Sequence, residues 1–160
     1  MIFLRAEFYD AKNEHEACLR DTAKLAGVFN RTKPDMLFVP HELDRHPTHQ
    51  KSRAISLDAL AKHQNQKKRD IAVYSYEGLW SLFSEGDFNT VFAYDESLMK
   101  KKLKAIAAQK SQLSRTRFDV AAKSPARLRA SIVPEQALVG YGARAPKLGK
   151  YFELFHATQM

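Results

Sequence analysis

One cysteine in 160 residues, Cys18, leaves no partner for an internal disulfide and no thiolate set for a zinc ribbon. A chain so poor in thiols suits a reducing compartment, and the expected location is cytoplasmic. No window approaches the roughly 18 apolar residues that span a bilayer. At the N-terminus the apolar Met1-Ile2-Phe3-Leu4 meets charge at Arg5 and Glu7, too short a run for a secretory signal. There is no internal repeat, low-complexity tract or linker. A glycine-rich phosphate loop is absent too, since Gly140-Tyr141-Gly142 follows no clear strand and reads as a turn. What remains is ordinary globular composition, 44% hydrophobic and 28% charged, at a length suited to one domain.

Acidic residues are scarce where basic ones gather. Between Asp95 and Ala130 ten Lys and Arg face Asp95, Glu96 and Asp119, so this stretch accounts for seven of the eight net positive charges. A basic helix of this kind attracts phosphates, while the plain alternative is a solvated helix face. Met99 to Lys104 taken alone is not amphipathic enough to argue for a membrane surface.

Hydrophobic spacing organises the rest. Ile2 to Arg5 reads as a short strand running into Glu7–Asp10. Asn13 caps a helix to Arg31 with Glu14 and Glu16 in its first turn, and Thr32-Lys33-Pro34 ends it. Met36-Leu37-Phe38-Val39-Pro40 is a continuous apolar run, expected to be a strand covered on both faces. After the polar loop from His41 to Pro47, Thr48 caps a helix over about 49–63. Strands are expected over 70–76 and 89–94. A basic helix opened by Asp95 or Ser97 runs to about Leu113, and another spans 121–130. A loop-rich tail with Pro134, Gly140 and Gly149 then leads to a strand at 151–155. Leu98, Leu103, Ile106 and Ala107 read as a packing stripe. Cys18 reads as a small core residue, and His15, His63 and His156 as surface residues. Helices alternating with buried strands predict an α/β layered domain with a mostly parallel sheet.

Chemistry concentrates in His41-Glu42-Leu43-Asp44-Arg45-His46-Pro47-Thr48-His49, which holds three of the six histidines and two acids. It leaves the carboxyl end of a buried strand, where ligands of open α/β sheets bind. Two histidines three apart can approach one metal centre if the loop bends, and Pro47 holds His46 extended. A helix cap with surface histidines is the plain alternative. Trp80, flanked by Leu79 and Leu82, reads as core or pocket wall.

The stretch Asp44-Arg45-His46-Pro47-Thr48-His49-Gln50 resembles the second metal motif, Asp-x-His-x-x-His, of the PIG-L/LmbE-like zinc-dependent N-deacetylases. Further stretches match in the family's order: Leu4 to Tyr9, Lys33-Pro34-Asp35 before its strand, the aromatic loop Tyr76 to Trp80, and Tyr151 to Phe155. Lys104 to Gln112 is similar to a family helix end, with Gln109 where histidine is usual. The resemblance implies a Rossmann-like domain and a hydrolase removing acetyl from N-acetylglucosamine-type sugars with Zn2+. In it His49 is a zinc ligand, His46 the acid or oxyanion stabiliser, Asp44 orients His46 or lines the pocket, and Trp80 contacts substrate. The family's first motif, His-Pro-Asp-Asp, is missing. Residues 1–160 are therefore expected to form a single deacetylase domain without its N-terminal strand–helix part, incomplete or inactive alone. The implied partners are an N-acetylated sugar or glycoconjugate and a complementing chain or second copy, with no membrane span and no nucleic acid. A second reading makes the chain a non-catalytic binding module whose basic helix contacts nucleic acid or another anionic partner.

Overall fold

The computed structural model describes residues 4–67, 70–78, 81–141 and 149–159. They divide into two compact units, one formed by residues up to Phe88 together with the segment from His156, the other by Asn89–Phe155.

In the first unit Leu4 and Arg5 of the expected Ile2–Arg5 strand lie in no strand, Ile2 and Phe3 are outside the described residues, and a 3-10 turn follows at Glu7–Tyr9. The turn is held by Asp21, whose Oδ2 accepts the backbone N–H groups of Glu7 (2.8 Å) and Phe8 (3.1 Å), so the backbone donors are satisfied without a strand partner. Helix α1 covers Glu14–Thr32 and is capped by Asn13, whose side chain accepts the Glu16 N–H. It stops at Lys33, in the left-handed region at φ 47°, directly before Pro34. Strand β1 (Met36–Pro40) leads to α2 (Pro47–Lys67) and then β2 (Ala72–Tyr76). β1 and β2 pair in parallel, Met36 opposite Ala72 and Pro40 opposite Tyr76, with α2 as the crossover that a parallel pair requires. Phe29, Val39, Ala59, Leu60, Ile71 and Val73 make the core between helices and strands. Each large side chain among them contributes about 1.5–3 kcal/mol of transfer free energy.

Two expectations change here. β1 is not covered on both faces along its length: Val39 is buried, whereas Met36 and Phe38 are exposed, because successive side chains of a strand point to opposite faces. His63 is buried rather than on the surface. Its Nδ1 lies 2.8 Å from Asn30 Oδ1, and its ring meets the edge of Phe29.

In the second unit β3 (Thr90–Tyr94) is followed by α3 (Glu96–Ala107), the short α4 (Lys110–Leu113), α5 (Phe118–Tyr141) and residues 151–155 of β4 (Tyr151–Gln159). β4 runs antiparallel to β3, Tyr151 opposite Tyr94 and Phe155 opposite Thr90. The strand directions are therefore mixed, not mostly parallel. The long helical connection returns β4 against β3 in the opposite sense, whereas α2 returns β2 in the same sense as β1. Asp95 caps α3 by accepting the Leu98 N–H. The basic segment breaks after Ala107, so the continuous helix expected to Leu113 is two helices. α5 starts earlier than expected and continues through Pro134 and Gly140, where a loop was expected. Buried Ala126 and Val133, two turns apart, extend its packed face past Ala130. The packing stripe of α3 is also different: Met99 is the buried residue and Leu98 is exposed.

Tyr94, Met99, Ala126 and Tyr151 form this unit's core cluster. The Tyr94 hydroxyl donates to Glu153 Oε1 at 2.7 Å, and the Tyr151 hydroxyl to Glu96 Oε2 at 2.6 Å. Lys102 joins Glu153, and Lys123 joins Glu96 at 3.4 Å. Burial, then the Glu153 carboxylate, pushes the Tyr94 hydroxyl far above the usual phenol range.

Candidate functional site

The site begins where β1 ends. The His41 N–H donates to the Tyr76 carbonyl at 3.0 Å, extending the parallel ladder by one residue. The chain then turns, with the Asp44 N–H on the His41 carbonyl at 3.1 Å and the Leu43 N–H on His41 Nδ1 at 3.3 Å. The buried ring of His41 packs edge-on against Phe83, centroids 4.6 Å apart.

Asp44 is the centre of the loop. Its side chain is buried and its two oxygens divide the work. Oδ1 accepts the His46 N–H at 2.8 Å, and Oδ2 lies 2.8 Å from His49 Nδ1. An ionised carboxylate can only accept, so His49 Nδ1 donates and Nε2 is the nitrogen left for a ligand or proton. The first bond is the side-chain turn that Asp makes two residues ahead. It orders the backbone directly before α2, which therefore opens at Pro47 with His46, not Thr48, in the capping place. Proline is well suited to a first helical position because its missing N–H would have no partner there. The His49 and Gln50 N–H groups both reach the His46 carbonyl, at 2.9 and 3.1 Å.

Residues outside the motif close the loop. Gln50 donates through Nε2 to the Glu42 carbonyl at 2.6 Å and also to the Asp44 carbonyl. Arg53 donates through Nη1 to the Pro40 carbonyl and to Ser75 Oγ, both at 2.9 Å, tying α2 to the ends of β1 and β2. Gly78 lies so close that a Cβ there would stand 3.4 Å from Asp44 Oδ2. At the end of β2 burial, then the Asp44 carboxylate, raises the Tyr76 hydroxyl above its ordinary value. The sequence pattern singled out none of Gln50, Arg53, Ser75 or Gly78 as part of the cluster. Gln50 and Arg53 stand in a wholly polar run, Thr48 to Arg53, so no pattern there marks them. Trp80 lies outside the described residues.

The structure thus brings Asp44, His46 and His49 together, and Asp44 orients the ring of His49 and the backbone of His46. Zinc, implied by the resemblance, meets a poor fit in this arrangement. The His46 and His49 rings are stacked, with centroids 4.5 Å apart and planes 29° from parallel. Lone pairs lie in the ring planes, so two stacked imidazoles do not converge on one ion. Among the described residues no group of three or more His, Cys, Asp or Glu side chains is placed to hold a metal. A catalytic zinc takes about three protein ligands, so these residues alone do not fit a complete centre. A shallow cleft of about 550 Å³ elsewhere in the first unit is lined by residues such as Arg5, Glu7, Asp10 and Arg20, none from the Asp44 cluster.

The fold is similar to that of a solved structure, the antimicrobial reagent A40926 pseudoaglycone deacetylase Dbv21. The TM-score is 0.53 and the identity 17%, over 92% of this chain and 58% of that one. A deacetylase–bog complex from the teicoplanin biosynthesis pathway aligns at 14% identity and TM-score 0.49, over 91% and 54%. The zinc-inhibited form of teicoplanin deacetylase Orf2 aligns at 14% and 0.49, over 91% and 53%. The chain therefore spans under two thirds of the length of each structure. At 17% identity the first likeness is one of fold alone. No protein-family model and no curated protein matches the sequence. No described helix is long and apolar enough to cross a membrane.

Proposed function

We propose that this chain is a PIG-L/LmbE-like deacetylase domain carrying one part of a hydrolytic site for N-acetylated sugars or glycoconjugates of the N-acetylglucosamine type. The observation that carries the reading is the buried Asp44 bonded at 2.8 Å to His49 at the carboxyl end of a parallel strand, in a deacetylase-type fold. Hydrolysis of an acetamide adds water to the carbonyl carbon, breaks the C–N bond and needs an acid to protonate the leaving amine. His46 is the group for that proton. Asp44 is a positioning residue, since a carboxylate behind the His49 imidazole fixes the tautomer and orientation of that ring. His49 is the one residue of the cluster suited to bind a metal, through Nε2, and Trp80 is assigned to the substrate. A cytoplasmic location belongs to the same reading.

One imidazole holds zinc weakly, so the chain alone is expected to bind zinc weakly and to show little or no turnover, further ligands coming from a complementing chain or a second copy. Calorimetric titration with zinc tests this. Weak binding that disappears in His49→Ala and falls roughly tenfold in Asp44→Asn supports the assignment. Binding that His49→Ala leaves unchanged removes it. Robust release of acetate from an N-acetylglucosamine substrate by this chain alone would show that the site is already complete.

A further inference from the structure

The net charge of +8 belongs entirely to one unit. Residues 89–155 hold thirteen Lys and Arg against five Asp and Glu, whereas the rest of the chain holds thirteen of each. Within that unit every described acid is engaged. Asp95 caps α3, Asp119 pairs with Arg117, Glu96 takes Tyr151 and Lys123, and Glu153 takes Tyr94 and Lys102. Lys100, Lys101, Lys104, Lys110, Arg115 and Arg127 are exposed with no carboxylate partner among the described residues.

The cations on α3 and α5 share their helix faces with apolar side chains. On α3, Met99 is buried while Lys101 and Lys104 point outward, flanked by Lys100 and the exposed Leu98. On α5, Ala126 and Val133 face the core, and the opposite face carries Val120, Arg127 and Leu128, the last 58% exposed. Over its full length α3 is amphipathic, with Met99 inside, and the outward faces of α3 and α5 each combine cations with exposed aliphatic groups. Nucleic acid would use the cations and gain little from Val and Leu. It favours aromatic platforms, and neither helix exposes an aromatic side chain among its described residues. An anionic bilayer presents phosphates directly above an apolar boundary and uses both kinds of side chain.

We infer that the outward faces of α3 and α5 dock on the surface of an anionic phospholipid bilayer, without spanning it. The charge is complementary, and Leu98, Val120 and Leu128 supply the shallow apolar contact. The docking is independent of the proposed hydrolytic site, because no residue of the Asp44 cluster belongs to these helices.

Co-sedimentation of the full chain with vesicles decides the matter. Vesicles of phosphatidylcholine mixed with phosphatidylglycerol should bind the protein, pure phosphatidylcholine should not, and added salt should weaken binding. Lys100→Glu/Lys101→Glu/Lys104→Glu should weaken binding on the order of a hundredfold. Leu128→Ser should weaken it roughly tenfold with an unchanged circular dichroism spectrum. Absence of phosphatidylglycerol-dependent binding at low salt would overturn the inference. So would tighter binding to a DNA or RNA oligonucleotide than to the vesicles, with Leu128→Ser behaving as the parent.

Discussion

The two units use their carboxylates in opposite ways. In the neutral unit the buried acids serve the backbone. Asp21 accepts two N–H groups of the opening turn, and Asp44 accepts one from the loop after β1 while its other oxygen holds His49. In the basic unit Asp95 caps a helix, but Glu96 and Glu153 serve side chains, accepting tyrosine hydroxyls and drawing in Lys123 and Lys102. A carboxylate that ties down backbone fixes the path of a loop and so positions chemistry. One that ties tyrosines and lysines together braces a strand pair against its helices. The contrast explains how candidate chemistry and net charge come to be in different places. Local anchoring assembles the Asp44 cluster without excess charge, and internal pairing uses up the acids of the second unit and leaves its cations outward.

The largest expected effect separates the units by sterics. A Cβ on Gly149 would stand 2.1 Å from the Tyr94 carbonyl oxygen and 2.4 Å from its carbon. Backbone cannot swing aside like a flexible side chain, so Gly149→Ala should cost about 3 kcal/mol in urea denaturation. Gly78→Ala places its Cβ 3.4 Å from Asp44 Oδ2, an ordinary contact, and should cost under about 0.5 kcal/mol. Equal losses would mean that the close approach at Gly149 does not organise the β3–β4 pair. Next in size is Asp21→Ala, which leaves the Glu7 and Phe8 N–H groups without their acceptor and should cost about 2 kcal/mol. A negligible change would place the opening turn outside the cooperative structure of its unit.

What the sequence made legible was local. The caps Asn13 and Asp95 each act on a backbone group three residues on, and Asp44, His46 and His49 lie within one turn and the start of one helix. Short-range residue chemistry suffices for these. The parts that stayed hidden depend on long-range pairing. Asp21 anchors residues thirteen and fourteen positions away, Arg53 reaches Ser75 twenty-two away, and β4 runs antiparallel after a long helix. His63 looked like a surface residue because Asn30, the side chain that meets its Nδ1 in the core, comes from another helix. The stacking of His46 on His49 was likewise invisible in a spacing that permits convergence as readily.

Smaller effects probe the bracing carboxylates. Tyr151→Phe removes the hydroxyl from Glu96 but keeps the ring and its packing, so the Tm should fall by only a few degrees. The hydrogen bond from Tyr151, with Lys123 beside it, holds the Glu96 carboxyl below the usual carboxylate range, and Arg117 holds Asp119 down at about 2. A depressed folded-state value means that the unfolded chain binds more protons just below the ordinary carboxylate range. The stabilisation is therefore fully present above that range and is lost as pH falls through the depressed values. Tm values measured from about pH 6 to about pH 3 should decline in the parent protein. Glu96→Gln, which still accepts from Tyr151 but does not titrate, should decline less steeply. Parallel curves for the two proteins would show that Glu96 braces β4 through geometry alone, with no contribution from its charge.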